Sequence, residues 1–210
     1  MILNLGLRFC LFVVLLTIFP AQADDINSEL TEARNIFLQG VDGDKSAVRN
    51  AVNRFRSLSQ RHPETPIYIA YLGASITLQG RDAPNGIDKQ RLTEEGLDEI
   101  DRALELFSHD NDEPSSRRLD TLLVAANSFI YIPSFFNRYE RGKRLLREIL
   151  EHNDFKEMAA GFKAAAYFTA ALVARGDGDE NEYHRYLNLT VNTDPQGRDG
   201  RFASELLEEL

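Results

Sequence analysis

From Ile26 onward the apolar residues of this chain recur at the spacing of an α-helix, and Gly, Pro and Asp-Gly pairs cut the runs at regular intervals. This periodicity constrains the fold more than any other feature, because a stripe at i, i+3, i+4 and i+7 gathers on one side of a helix and on neither face of a strand. It predicts helices over 26–40, 45–61, 66–82, 88–107, 115–131, 135–151, 155–175, 179–192 and 199–209. Between them Asp42-Gly43, Asn85-Gly86, Gly176 to Gly178 and Gly197 supply turns, while Asp44, Asp88, Ser115 and Asp179 offer capping oxygens to the helices that follow. Connections this short set neighbouring helices antiparallel, so the expected fold class is all-α.

Taken in pairs, these helices place small and large residues in a common register. Ala51, Phe55 and Leu58 precede Pro63, and nine residues later Leu72-Gly73 opens a run with Ile69 and Ile76. Near the end Tyr167, Ala170, Ala171 and Ala174 precede Tyr183 and Leu187, then Asp194-Pro195. Weaker copies lie at Gly96, Ile100 and Ala103 and at Gly142, Leu146 and Ile149. The pattern resembles the tetratricopeptide-repeat (TPR) family, in which a first helix with a Leu-Gly pair alternates with a second carrying Ala-x3-Phe and a downstream Pro. The likeness spans nearly all of 26–195, with no Trp present and a single Leu-Gly pair in the expected place. It implies antiparallel helix pairs stacked as a short TPR-like right-handed α-solenoid. The segment after Gly197, with Phe202, Leu206 and Leu207 on one side and Glu205, Glu208 and Glu209 on the other, would be its C-terminal capping helix. Residues 71–83, together with Lys89, Gly96-Leu97 and 132–138, are also similar to small exported bacterial repeat proteins with no assigned activity.

Residues 1–23 are of different composition. One Arg is followed by an apolar run of 11 residues, 9–19, and then Ala21-Gln22-Ala23. A span of that length is short of the roughly 20 residues that cross a bilayer, and small-x-small is the form of an export cleavage site, so a signal peptide over 1–23 is expected. An uncleaved anchor or a buried first helix is the alternative. Cleavage would remove Cys10, the only cysteine, and leave a mature chain over 24–210 with no disulfide, which suits a bacterial periplasm or the medium, with no stable membrane insertion after cleavage.

The chain of 210 residues, with 43% hydrophobic residues, is long enough for one domain with its own core. A net charge of -9 speaks against nucleic acid, whose phosphates require clustered Lys and Arg. Candidates for chemistry are sparse. His62, His109 and His152 lie 47 and 43 residues apart at expected helix ends, where their role is to complement the helix C-terminus, and with His184 they are not expected to converge on a metal. Asp177 to Asn188 begins like a calcium loop, but Glu182 stands where Gly is needed and Asn188 where a bidentate Glu is needed. Asn188-Leu189-Thr190 matches a glycosylation sequon on an expected helix. No cysteine nucleophile, Gly-x-Ser-x-Gly or phosphate loop occurs in the mature chain, so neither catalysis nor a cofactor is expected.

The expected function is therefore a non-enzymatic periplasmic or secreted scaffold that holds a protein or peptide partner. Two faces compete for the role. One is the segment 81–91, where an insertion lengthens one repeat and places Arg81, Asp82 and Lys89 beside a turn; the same residues would equally solvate a longer connection. The other is the inner curve of the first helices, with Tyr71, Ala70, Ala74 and Thr77 in one repeat and Phe168, Leu172 and Arg175 in another, which would equally serve as helix packing. A small-molecule or envelope-assembly carrier with a pocket near Tyr71, Arg81 and Phe135 is the second reading, and a hydrolase the third.

Overall fold

The computed structural model describes residues 21–108 and 114–209, and among these the regular structure is entirely helical. The apolar run of the expected signal peptide and His109 lie outside the described residues. Among the described residues nine α-helices follow one another: α1 (Ala21–Val41), α2 (Lys45–Arg61), α3 (Pro66–Asp82), α4 (Gly86–Glu105), α5 (Ser115–Tyr131), α6 (Tyr139–Glu151), α7 (Ala160–Asp177), α8 (Glu180–Thr193) and α9 (Arg198–Glu208). Short 3₁₀ turns occupy Leu106–Ser108, Ser134–Phe136 and Asn153–Glu157.

Local chemistry sets these boundaries. Asp44 accepts from the backbone N–H of Ser46 and Ala47 at the start of α2, and Asp179 accepts from that of Glu182 at the start of α8. Asn85, not Asp88, caps α4, and Pro114 precedes α5 with no side-chain cap, so Ser115 is its first residue. His62 and His152 stand at the C-terminal ends of α2 and α6. Two helices begin later than the periodicity predicts. Pro133 holds Ile132 extended and ends α5, and Asn137 then turns through a left-handed conformation at φ 56°, so α6 starts at Tyr139 and not near 135. Phe155 is buried from a 3₁₀ turn, and extended backbone at Met158 and Ala159 delays α7 to Ala160.

The helices form two layers. α1, α3, α5, α7 and α9 contact one another in sequence as a row, and each even-numbered helix packs between two consecutive members of it: α2 on α1 and α3, α4 on α3 and α5, α6 on α5 and α7, α8 on α7 and α9. Burial follows this arrangement. Outer α6 hides only Gly142, Leu146 and Ile149, one stripe of a helix, whereas α3, enclosed by four neighbours, hides every residue from Pro66 to Thr77. The closest approach joins α3 to α4, where a Cβ added at Gly73 would lie 2.5 Å from the Gly96 carbonyl oxygen, and one at Gly96 2.5 Å from that of Gly73. The core is a chain of linked clusters along the row: α1–α3 around Phe55 and Tyr68, α4–α5 around Phe129, α5–α7 around Leu119 and Phe155, and α7–α9 around Tyr183.

Candidate functional site

Three successive helices of the inner row each send one polar side chain to a single point. Arg34 on α1 donates from Nε to the Tyr71 hydroxyl on α3 at 2.9 Å, and from Nη2 to Oδ2 of Asp120 on α5. The Tyr71 hydroxyl in turn donates to Asp120 Oδ1 at 3.4 Å. The tyrosine ring is fixed independently, stacked on Phe55 at 4.9 Å and meeting Phe37 edge-on at 5.2 Å. Only 17% of the Asp120 side chain and 34% of that of Arg34 is exposed. Burial pushes the Asp120 carboxyl above its usual range, although Arg34 and the Tyr71 hydroxyl oppose the shift. Burial likewise raises the Tyr71 phenol, reinforced by Asp120 and opposed by Arg34. Burial alone would lower Arg34, but Tyr71 and Asp120 outweigh it and keep the guanidinium charged.

The neighbouring positions continue this face toward the other end of the row. Arg34, Leu38 and Asp42 follow at intervals of four along α1 and past its end, so they share one side of the helix. On α5 the corresponding stripe runs from Asp120 through Asn127 to Tyr131, and Asn127 accepts a 2.8 Å hydrogen bond from Thr169 of α7. Phe168 of α7 stacks on Phe202 of α9 at 6.5 Å, and the Arg198 guanidinium lies 5.0 Å from the centre of the Phe202 ring. Arg198 also pairs with Asp199 at 2.9 Å and with Asp42 at 2.7 Å.

The last contact has a geometric consequence. Five packed helices in a straight row, about 10 Å from axis to axis, would separate α1 from α9 by about 40 Å. Asp42 just past α1 and Arg198 at the start of α9 form an ion pair, so the row curves back on itself and the stripe faces inward. Tyr131 fits a concave wall. It is 57% exposed, yet crowding desolvates its phenol and raises it, with smaller opposing effects from Thr169 and Arg198 and a reinforcing one from Asp199. Leu38 at 37% and Phe202 at 40% exposure add apolar surface to the same side.

The residues singled out from sequence divide between this face and other roles. Tyr71 belongs to the cluster, and Phe168 and Leu172 are half-buried on α7. Ala70, Ala74 and Thr77 are buried between helices and present little surface. Arg175 is exposed, its guanidinium 5.6 Å from the Tyr183 ring centre on the α8 side. In the 81–91 segment Arg81 is a brace: it donates to the Gly40 and Val41 carbonyls at 2.9 and 3.2 Å, completing the C-terminus of α1, while Asp82 holds its guanidinium at 2.8 Å. Lys89 is exposed with no charged partner among the described residues. Phe135 is 65% exposed beside Phe136. Tyr71, Arg81 and Phe135 line neither the cleft among α6, α7 and α8 nor the one between α2 and the start of α4. Arg34 and Asp120 escaped the sequence reading. Their signal was a lone charge beside residues that bury fully, Ala33 and Leu119, but nothing in the pattern pairs positions 86 residues apart.

Among the described residues no group of three or more His, Cys, Asp or Glu could hold a metal ion, and no helix is long and apolar enough to cross a membrane. The fold and the cluster define a class: a two-layer, all-helical stack with a clamped, curved inner row. Comparison of the chain with protein-family models, with curated proteins and with solved structures finds no match to any of them.

Proposed function

We propose that this protein is a non-enzymatic, TPR-like scaffold, exported to the periplasm or the medium, that binds a protein or peptide on its curved inner face. The observation that carries the reading is the exposure of Leu38, Tyr131 and Phe202 along the concave side of the row, between the Arg34–Tyr71–Asp120 cluster and the Asp42–Arg198 pair. Apolar side chains on a concave wall supply anchors for an extended segment, and flanking polar groups fix its register. The contact pattern favours stacked repeats, since each outer helix bridges two consecutive inner ones and each inner helix meets the next, as expected of helix pairs in an α-solenoid with α9 as its cap.

A photo-crosslinking amino acid tests this reading when placed at Tyr131 or Phe202, with outward Arg147 as the control. Exposed to envelope extract, the inner positions should give one discrete protein adduct that Arg147 does not. Adducts equal at all three positions, or none at the inner two, would remove the inner face as the binding surface.

A further inference from the structure

Away from the Arg34–Tyr71–Asp120 cluster, the last turn of α6, the 3₁₀ turn Asn153–Glu157, α7 and α8 enclose an open cleft of about 400 Å³, within the range of small-ligand sites. Its wall is aromatic. Phe155 and Tyr167 meet edge to face at 5.5 Å and 77°, and Tyr167 and Tyr186 lie 6.3 Å apart with 30° between their planes. Its charged lining consists of Lys156, Arg185 and one carboxylate, Glu151.

The cations are arranged in different ways. Arg185 is held flat over the Tyr186 ring, 4.1 Å from its centre, by two hydrogen bonds to Glu182 at 2.8 and 2.5 Å. Lys156 has no carboxylate partner among the described residues, and the Lys163 ammonium is drawn to the Lys156 carbonyl at 3.0 Å. His152 accepts the Asp154 N–H on Nδ1, which leaves Nε2 as a donor when the ring is neutral. The Tyr167 hydroxyl, on a half-buried residue, makes no hydrogen bond to the protein among the described residues.

From this lining we infer that the cleft is a binding site for a small planar aromatic anion, a ring bearing a carboxylate, sulfonate or phosphate. A flat ring extends the edge-to-face packing of Phe155, Tyr167 and Tyr186, which an aliphatic ligand cannot do. The acidic group meets Lys156, with Arg185 beside it offering the N–H groups that Glu182 leaves unused, and the donors on His152 and Tyr167 supply hydrogen bonds that an anion accepts. A saccharide fits less well, because its hydroxyls call for several acceptors around the ring and, beyond the hydroxyls of Tyr167 and Tyr186, the lining offers only Glu151 and Asn153. The site shares no residue with the inner-row cluster, so it stands or falls separately from the scaffold reading.

Two probes of almost the same shape isolate the charge: anilinonaphthalene sulfonate, and phenylnaphthylamine, which lacks the sulfonate. With the purified protein the sulfonate should bind with a fluorescence rise that weakens in high salt, and amide NMR shifts should concentrate at 150–156 and 185–189. The double variant Lys156→Ala/Arg185→Ala should lose about tenfold in affinity for the sulfonate and little for the neutral probe, one charge-assisted contact being enough for such a ratio. Tyr186→Leu should weaken both, and far-ultraviolet circular dichroism separates that loss from unfolding. Equal affinity for the two probes in the wild-type protein would overturn the anionic specificity. Shifts centred elsewhere, or no binding at millimolar probe, would overturn the site, and the wild-type shift map decides this even if every variant unfolds.

Discussion

If α3 and α4 are in backbone contact through Gly73 and Gly96, one added methyl should cost more than it returns. A Cβ at Gly73 would lie 2.5 Å from the Gly96 carbonyl oxygen, 2.7 Å from Ile100 Cγ1 and 3.0 Å from the Ile100 nitrogen. Carbon and oxygen tolerate about 3.3 Å, so the helices must part by about 0.8 Å, and overpacking of that kind costs roughly 1–3 kcal/mol. Against this, Ala is favoured over Gly inside a helix by about 1 kcal/mol. The net expectation for Gly73→Ala is a loss of about 1 kcal/mol, with Gly73→Leu losing more. Gly86, the first residue of α4, is the matched control: nothing lies within 4 Å of its added Cβ, so Gly86→Ala should gain about 0.5 kcal/mol. Urea unfolding with an unchanged m-value measures both. The pair Gly73→Ala/Gly96→Ala should also lose less than the sum of its parts, because the first methyl opens the gap that the second needs. Should Gly73→Ala stabilise as much as Gly86→Ala, the close approach of α3 and α4 would be refuted, and the register built on Leu72-Gly73 with it.

Burial holds the Asp120 carboxyl above its ordinary range, so between about pH 3.9 and that raised value the folded chain keeps a proton the unfolded chain has lost. Its contribution to stability therefore falls as pH rises through this window, and Asp120→Asn should flatten the fall; an unchanged pH slope refutes the assignment. Arg81→Ala should cost about 1 kcal/mol by exposing the Gly40 and Val41 carbonyls, whereas Lys89→Ala should stay within about 0.5 kcal/mol, both read by urea unfolding. Spin labels at exposed Lys45 and Arg201 should report a separation below about 25 Å by electron–electron resonance, where a straight row predicts about 40 Å. Export with cleavage between Ala23 and Asp24 predicts a mature species that begins at Asp24, and an intact mass that still includes Met1 would contradict it.

The helices were legible wherever one local signal decided them. Asp44 and the stripe from Ala47 to Leu58 define α2, and Pro66 with the Asn85-Gly86 turn bounds α3. The misses fall where two signals compete: apolar residues at 135 and 136 continue the helical pattern, but Pro133 and the left-handed Asn137 prevail, because steric exclusion at a proline costs more than one partly exposed aromatic ring returns. The site was less legible, for a different reason. Helical periodicity tells which side of a helix is buried but not which distant helix lies there, so Tyr71 could be named while Arg34 and Asp120 could not. Arg81 shows the same limit, since its partners are backbone carbonyls 40 and 41 residues earlier, invisible to any pattern of side chains.

The two polar clamps of the inner row act at different ranges, and this division bears on how a curved row of helices keeps its shape. The Arg34–Tyr71–Asp120 cluster spans three adjacent helices in a desolvated setting, where removing one member leaves a buried charge or hydroxyl unpaired at roughly 1–3 kcal/mol or more. It fixes the local angle between α1, α3 and α5. The Asp42–Arg198 pair joins the ends of the row, but 49% of the Asp42 side chain and 33% of that of Arg198 is exposed, so water and salt screen it to about 1 kcal/mol or less. A bond that weak cannot bend five packed helices. The curvature must come from the packing of each helix pair on the next, with the terminal pair forming because the ends already meet. A partner seated among Leu38, Tyr131 and Phe202 would then meet a wall shaped in advance by burial, with one salt-sensitive contact at its mouth as the part that yields.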